Sequence, residues 1–151
     1  NSTGTSWYGG ESIGFETEAF AICDTLKYIK PPVHTICLGQ AMGTAAMILS
    51  AGTKGSRASL PHATIVLNQS RSGARGQATD IQIRAEEVLA NKSAILDILS
   101  SNTGQSVEKL DKDTDRMFYL TPEEAKEYGL IDRVLSSTKE LPAPIPVGAV
   151  S

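Results

Sequence analysis

The stretch that most constrains this chain runs from Val33 to Gly52, VHTICLGQAMGTAAMILSAG. Val33 to Leu38 is short and nearly continuously apolar, which reads as a strand buried on both faces of a parallel sheet. After the break at Gly39-Gln40, Ala41 to Ala51 reads as a helix of small and apolar residues. Such a helix packs closely and is buried all round, and Gly52 ends it. A strand that hands over to a helix through so sharp a turn can lift a side chain clear of its sheet. Yet the turn, Gln40-Ala41-Met42-Gly43-Thr44, has no serine or cysteine at its apex.

The rest of the chain alternates around this unit. Residues 1–14, NSTGTSWYGGESIG, read as a glycine- and hydroxyl-rich loop. Phe15 to Ile29 has helical spacing through Ala19, Phe20, Ile22, Cys23, Leu26 and Ile29, and Pro31-Pro32 stops it. Ser56 to Leu60 and Ala63 to Asn68 read as strands on either side of Pro61, followed by the polar loop SRSGARG. Gln77 to Thr103 predicts one long helix, roughly 40 Å from its rise per residue, closed by Gly104. Ile81, Ala85, Val88, Ile95 and Leu99 form a coiled-coil-like seam along it. So long a helix outreaches a domain of this size, which predicts that it protrudes and meets an apolar partner. Ser106 caps a short helix to Asp113. Thr121-Pro122-Glu123-Glu124 combines a capping box with proline at the first helical position, Gly129 closes that helix, and Leu130 to Leu135 reads as the last strand. The tail LPAPIPVGAVS reads as disordered. Alternating strands and helices define an α/β fold with a mostly parallel sheet.

Composition removes several function classes. A net charge of −3, with no basic run, excludes a nucleic-acid or anionic-membrane surface as the main partner. At 5% aromatic residues, stacking platforms for single-stranded bases are excluded too. Cys23 and Cys37 lie in apolar contexts and read as reduced core residues. Metal-type Cys/His spacing, membrane-length apolar runs and a signal peptide are all absent, so no metal or cofactor is expected. The tripeptides beginning at Asn1, Asn68 and Asn91 match a glycosylation acceptor by chance. Without a methionine at its start, the chain reads as a fragment or processed product.

Seven blocks in order, NSTG, ICLGQA, SAGTKGSR, LPHATIVLNQ, GQATDIQIRAEEVL, NTGQSVEKLDKDTDR and EEAKEYGLIDRVL, carry a specific resemblance to the ClpP family of the ATP-dependent Clp protease. It is continuous from Phe15 to Leu135, so the family domain is expected over 1–135, without the family's N-terminal strands, and the tail over 136–151. The resemblance implies the family's crotonase-like spiral fold with a protruding handle helix. The family works through a Ser-His-Asp triad, in which the base activates the serine and the acid orients the base. Aligned with its motifs, the nucleophile position is Gly43, the base position is Asn68 and the acid position is Met117. The oxyanion loop survives only as Ser2, Thr3 and Gly4. It lacks the family's proline and second glycine, and it runs on through Ser6 to Glu11, with Trp7-Tyr8 a candidate to lie across the cleft.

This pattern resembles the non-catalytic ClpR branch of the family, in its cyanobacterial form. It implies a silent subunit of mixed heptameric rings with active ClpP subunits, two rings stacking into a barrel fed by an AAA+ Clp ATPase of the ClpC or ClpX type. It also implies the cyanobacterial cytoplasm, with the plastid stroma as second choice. Asp115, Arg116, Gln77 and Ile81 align with the ring–ring interface, and Tyr28 and Leu135 with the pocket that receives ATPase loops.

Other constellations are weaker. His34 and Cys37 are three residues apart on a strand and point to opposite faces. His62 reads as a surface or capping residue, and Thr44 as a helix residue bonding back to the chain. A relocated serine nucleophile is one alternative. A crotonase-like acyl-CoA enzyme is the other, and it needs a positioned carboxylate that neither Glu11 nor Glu16 supplies by pattern.

Overall fold

The computed structural model of the chain describes residues 5–8, 11–14, 16–69 and 78–137. Its first elements correct the loop expected over 1–14 at residues 5–8 and 11–14, the rest of that segment lying outside the described residues. β1 (Thr5–Tyr8) and β2 (Glu11–Gly14) pair antiparallel, with Thr5 opposite Gly14 and Tyr8 opposite Glu11. The Gly9-Gly10 pair between them is a composition that two-residue hairpins favour, a signal outweighed by the glycine and hydroxyl content of the segment. α1 (Glu16–Tyr28) follows and buries Ala19 and Cys23 in the core.

The Val33–Gly52 stretch folds differently at its centre from the expectation. β3 (Thr35–Cys37) is shorter than the predicted strand, and β4 (Gln40–Met42) occupies residues assigned above to the turn and the helix start. Gly39, at φ +86°, makes the bend between them, a backbone that a side chain would resist. The helix, α2, spans only Thr44–Ser50, because Gln40, Ala41 and Met42 pair with Thr64, Ile65 and Val66 instead. β5 (Arg57–Ser59) and β6 (Thr64–Leu67) bend likewise across Pro61.

Two chain segments therefore run through both three-stranded sheets. β3 and β5 lie parallel in the first, with β8 (Arg133–Val134) parallel at its other edge. β4 and β6 lie parallel in the second, with β7 (Phe118–Leu120) antiparallel to β6. Hydrogen bonds from the Leu60 amide to the Cys37 carbonyl (3.1 Å) and from the Thr64 amide to the Gly39 carbonyl (2.7 Å) carry the pairing across the bend. The fold is thus mixed α/β with mostly parallel sheets, as expected.

α2 is buried along Thr44, Ala46, Met47, Leu49 and Ser50. It meets α1, the sheets and the C-terminal half of α3 (Ala78–Thr103), so that Met47, Ile65, Leu67, Leu96, Leu99 and Leu110 share one core. The predicted seam holds only at that end. Leu99 is buried and Ile95 packs against the core beside the unforeseen Leu96, whereas Val88 is exposed along with Ile83 and Leu89. α4 (Val107–Thr114) begins at Ser106, whose hydroxyl accepts from the Lys109 amide. α5 (Pro122–Tyr128) shows the full capping box between Thr121 and Glu124 and ends at Gly129, φ +95°. The last strand is shorter than predicted, because Leu130 and Ile131 turn into the core rather than pairing.

One charged network ties these layers together. Buried Arg57 donates through Nε and Nη2 to both carboxylate oxygens of Asp132 (3.0 and 2.8 Å) and through Nη1 to the carbonyls of Ser50 and Asn102. The Gly55 and Arg57 amides also donate to Asp132. Among the described residues no helix is long and apolar enough to cross a membrane. The tail beyond residue 137 lies outside the described residues.

Candidate functional site

The three positions aligned with the triad are brought together at one end of the β4-β6-β7 sheet. Gly43 directly follows β4 and is the N-cap of α2, with φ 54° and ψ −117°. A side chain there is strained, and only a tight framework holds such a backbone. The framework is visible. The Gly43 amide donates to the Val66 carbonyl (2.9 Å), extending the parallel ladder, and its carbonyl accepts from the Met47 amide in the first turn of α2 (3.1 Å). This is the strand–turn–helix geometry that raises a nucleophile, held without one.

Asn68 follows β6. A Cβ built on Gly43 would lie 2.8 Å from Asn68 Oδ1, so the base position stands directly over the elbow. Asn68 Nδ2 donates to the Gln69 carbonyl at 3.4 Å, whereas Oδ1 is shielded from solvent and has no hydrogen-bond partner among the described residues. Met117 precedes β7. Since Leu67 pairs with Phe118, one further step of the antiparallel register sets Met117 opposite Asn68. Met117 is exposed, and its Sδ accepts from the Tyr119 hydroxyl at 3.5 Å.

A glycine, an amide and a thioether supply no nucleophile, no base and no acid near neutral pH. The alternative residues lie elsewhere or are inert. His34 and His62 are exposed, and Thr44 is buried at the start of α2. Cys23 and Cys37 are unpaired and buried, and burial pushes both thiols up, away from the reactive thiolate. Among the described residues no group of His, Cys, Asp or Glu is arranged to hold a metal ion.

One feature of the site carries no sequence signal. Gln69 is pinned by its amide to the Thr114 carbonyl (3.1 Å) and by Nε2 to Asp111 (3.2 Å) and the Thr114 hydroxyl (3.4 Å), while Lys92 of α3 pairs with Asp111 at 2.7 Å. The segment after β6 is thereby fastened to α4, and through Asp111 to the long helix. No periodicity could have found these contacts, which join residues far apart in the chain.

The remaining candidates divide. Ser2, Thr3, Gly4 and Gln77 lie outside the described residues, as do the side chains of Ile81, Trp7 and Tyr8. Asp115 caps the end of α4, and it and Arg116 are exposed. Tyr28 stands 90% exposed at the end of α1, whereas Leu135 is 5% exposed behind β8.

A bent-strand α/β fold with a sharp strand–turn–helix elbow is the class that this fold and site define. The chain belongs to the Clp protease family, which it matches over residues 11–138. It is 78% identical over 147 residues to an ATP-dependent Clp protease proteolytic subunit-like protein of Synechocystis, covering 97% of this chain and 65% of that protein. A protein of the same description from Synechococcus elongatus is 75% identical over 146 residues, 97% of this chain and 64% of the relative. The ATP-dependent Clp protease proteolytic subunit 2 of Gloeobacter violaceus is 56% identical over 122 residues, 81% of this chain and 56% of the relative. The chain thus spans under two thirds of the length of these relatives.

Proposed function

We propose that the chain is a catalytically silent, structural or regulatory subunit of a heteromeric Clp protease core. The observation that carries this reading is the convergence of Gly43, Asn68 and Met117 on one end of one sheet, none bearing a group able to attack, to take a proton or to orient a base. On a subtilisin-type scaffold, losing the triad costs about six orders of magnitude in turnover. The elbow backbone persists because β4, β6 and α2 are core elements. Its architecture serves the fold when its chemistry is gone.

Assembly is the role that remains. The exposed apolar residues Ile83, Val88 and Leu89 on the outer half of α3 support a partner there, as an isolated surface gains nothing from them. The proposed partners are active ClpP subunits in mixed rings and an AAA+ Clp ATPase, in the cyanobacterial cytoplasm. Asp115, Arg116, Gln77 and Ile81 are proposed at the ring–ring interface. Tyr28, on the surface, is the better-placed of the two ATPase-pocket candidates.

Labelling with a fluorophosphonate probe tests the silence of the site. No covalent adduct is expected on this chain under conditions that label an active Clp proteolytic subunit to completion. Stoichiometric labelling of any serine here would establish a relocated nucleophile and end the proposal.

A further inference from the structure

We infer that Asn68 crowds the elbow sterically as well as lacking the chemistry of a base: its amide oxygen presses on the place where a side chain on residue 43 would begin. The inference rests on the reading of this site as silent and adds a cause. The elbow is crowded from the base position and not merely emptied at the nucleophile position.

The geometry is direct. From a Cβ on residue 43, Asn68 Oδ1 is 2.8 Å away, Cγ 3.7 Å and Nδ2 4.0 Å, so the carbonyl oxygen points at the missing carbon. At that separation carbon and oxygen overlap, and one of them must move. Residue 43 cannot, because its amide is bonded to Val66, its carbonyl to Met47, and its φ of +54° is fixed by the turn. The amide of Asn68, at the end of a half-buried side chain, must therefore rotate aside, which disturbs the 3.4 Å contact from Nδ2 to the Gln69 carbonyl. Gln69 itself is held by Thr114 and Asp111, so the backbone under the amide does not follow.

The orphaned oxygen fits the same picture. Among the described residues Oδ1 has no hydrogen-bond partner and is out of contact with solvent, so it is packed against the glycine without a bond that offsets its desolvation. Gly43 is therefore favoured twice, by its positive φ and by the amide above it. A serine placed at 43 would at best donate its hydroxyl to Oδ1. A neutral amide cannot take the proton, and the hydroxyl would stay inert.

A thermal double-mutant cycle separates the two requirements. Midpoints are measured for the protein itself, for Gly43→Ala, for Asn68→Ala and for the double variant. Backbone strain at residue 43 is common to both backgrounds, so any difference between the two Gly43→Ala drops reports the contact. The drop is expected to be smaller by about 2–8 °C when Asn68 is already alanine. Equal drops in the two backgrounds would overturn the inference. If Gly43→Ala does not fold, folding of the double variant supports it and failure of both overturns it, since strain alone would then decide. Fluorophosphonate labelling of the unsubstituted chain would sink the reading of a silent site without altering these midpoints, so the two failures are distinguishable.

Discussion

Arg57 and Asp132 show how a single pair can organise this fold. Their side chains are 5% and 22% exposed, and the guanidinium directs Nη1 to the carbonyls of Ser50 and Asn102. Removing one partner leaves a buried charge uncompensated, so Arg57→Met and Asp132→Asn are each expected to cost about 3–5 kcal/mol by urea denaturation. The hydrogen bond from Arg57 holds the Asp132 carboxyl below its usual range. A depressed carboxylate contributes stability above its unfolded value, about pH 3.9, and loses it as pH falls toward the folded value. Acid titration of stability should therefore be steeper below about pH 4 in the unsubstituted protein than in Asp132→Asn, and equal slopes would remove Asp132 from the account. Nothing in the sequence marks this pair, because Arg57 and Asp132 are 75 residues apart and neither stands in a periodic pattern. Gly43, Asn68 and Met117 were legible only through the family motifs, whereas the contact between the first two needed coordinates.

At the scale of elements, what the sequence encodes locally is what it reveals. The capping box at Thr121 and the glycine at 129 are fixed by neighbouring residues, and both are found as expected. Thr121→Ala should cost about 1 kcal/mol in chemical denaturation, through loss of the cap to the Glu124 amide. The β3–β4 bend was illegible for the converse reason. Whether Gln40 to Met42 begin a helix or extend a strand is decided by β6, which lies beyond Gly52 in the chain and offers Thr64 to Val66 as partners. The long helix divides by the same logic. Its C-terminal half is docked by Leu96 and Leu99, so Leu99→Ala is expected to cost about 2–5 kcal/mol. Leu89 is 64% exposed, and Leu89→Ala should leave the isolated chain within about 0.5 kcal/mol of its original stability while weakening assembly. A periodicity reading gave both halves one seam, since sequence spacing records which face is apolar and not what covers it.

For the whole molecule, the α/β class and the family were accessible from the order of elements and from seven sequence blocks, and the two-sheet arrangement was not. Sheets built from bent strands shared between layers depend on pairing across the chain, as between Cys37 and Leu60. Ring closure from identical or related subunits requires heterologous contacts, and stacking of two rings adds a two-fold set. The role proposed for this chain is to supply such contacts and no chemistry. Native mass spectrometry of the protein co-expressed with an active Clp proteolytic subunit, after exposure to a fluorophosphonate, tests both parts in one spectrum. Mixed ring assemblies are expected in which each active subunit carries the adduct mass and this chain carries none. Unassembled chains with no mixed ring, or an adduct on this chain, would contradict it.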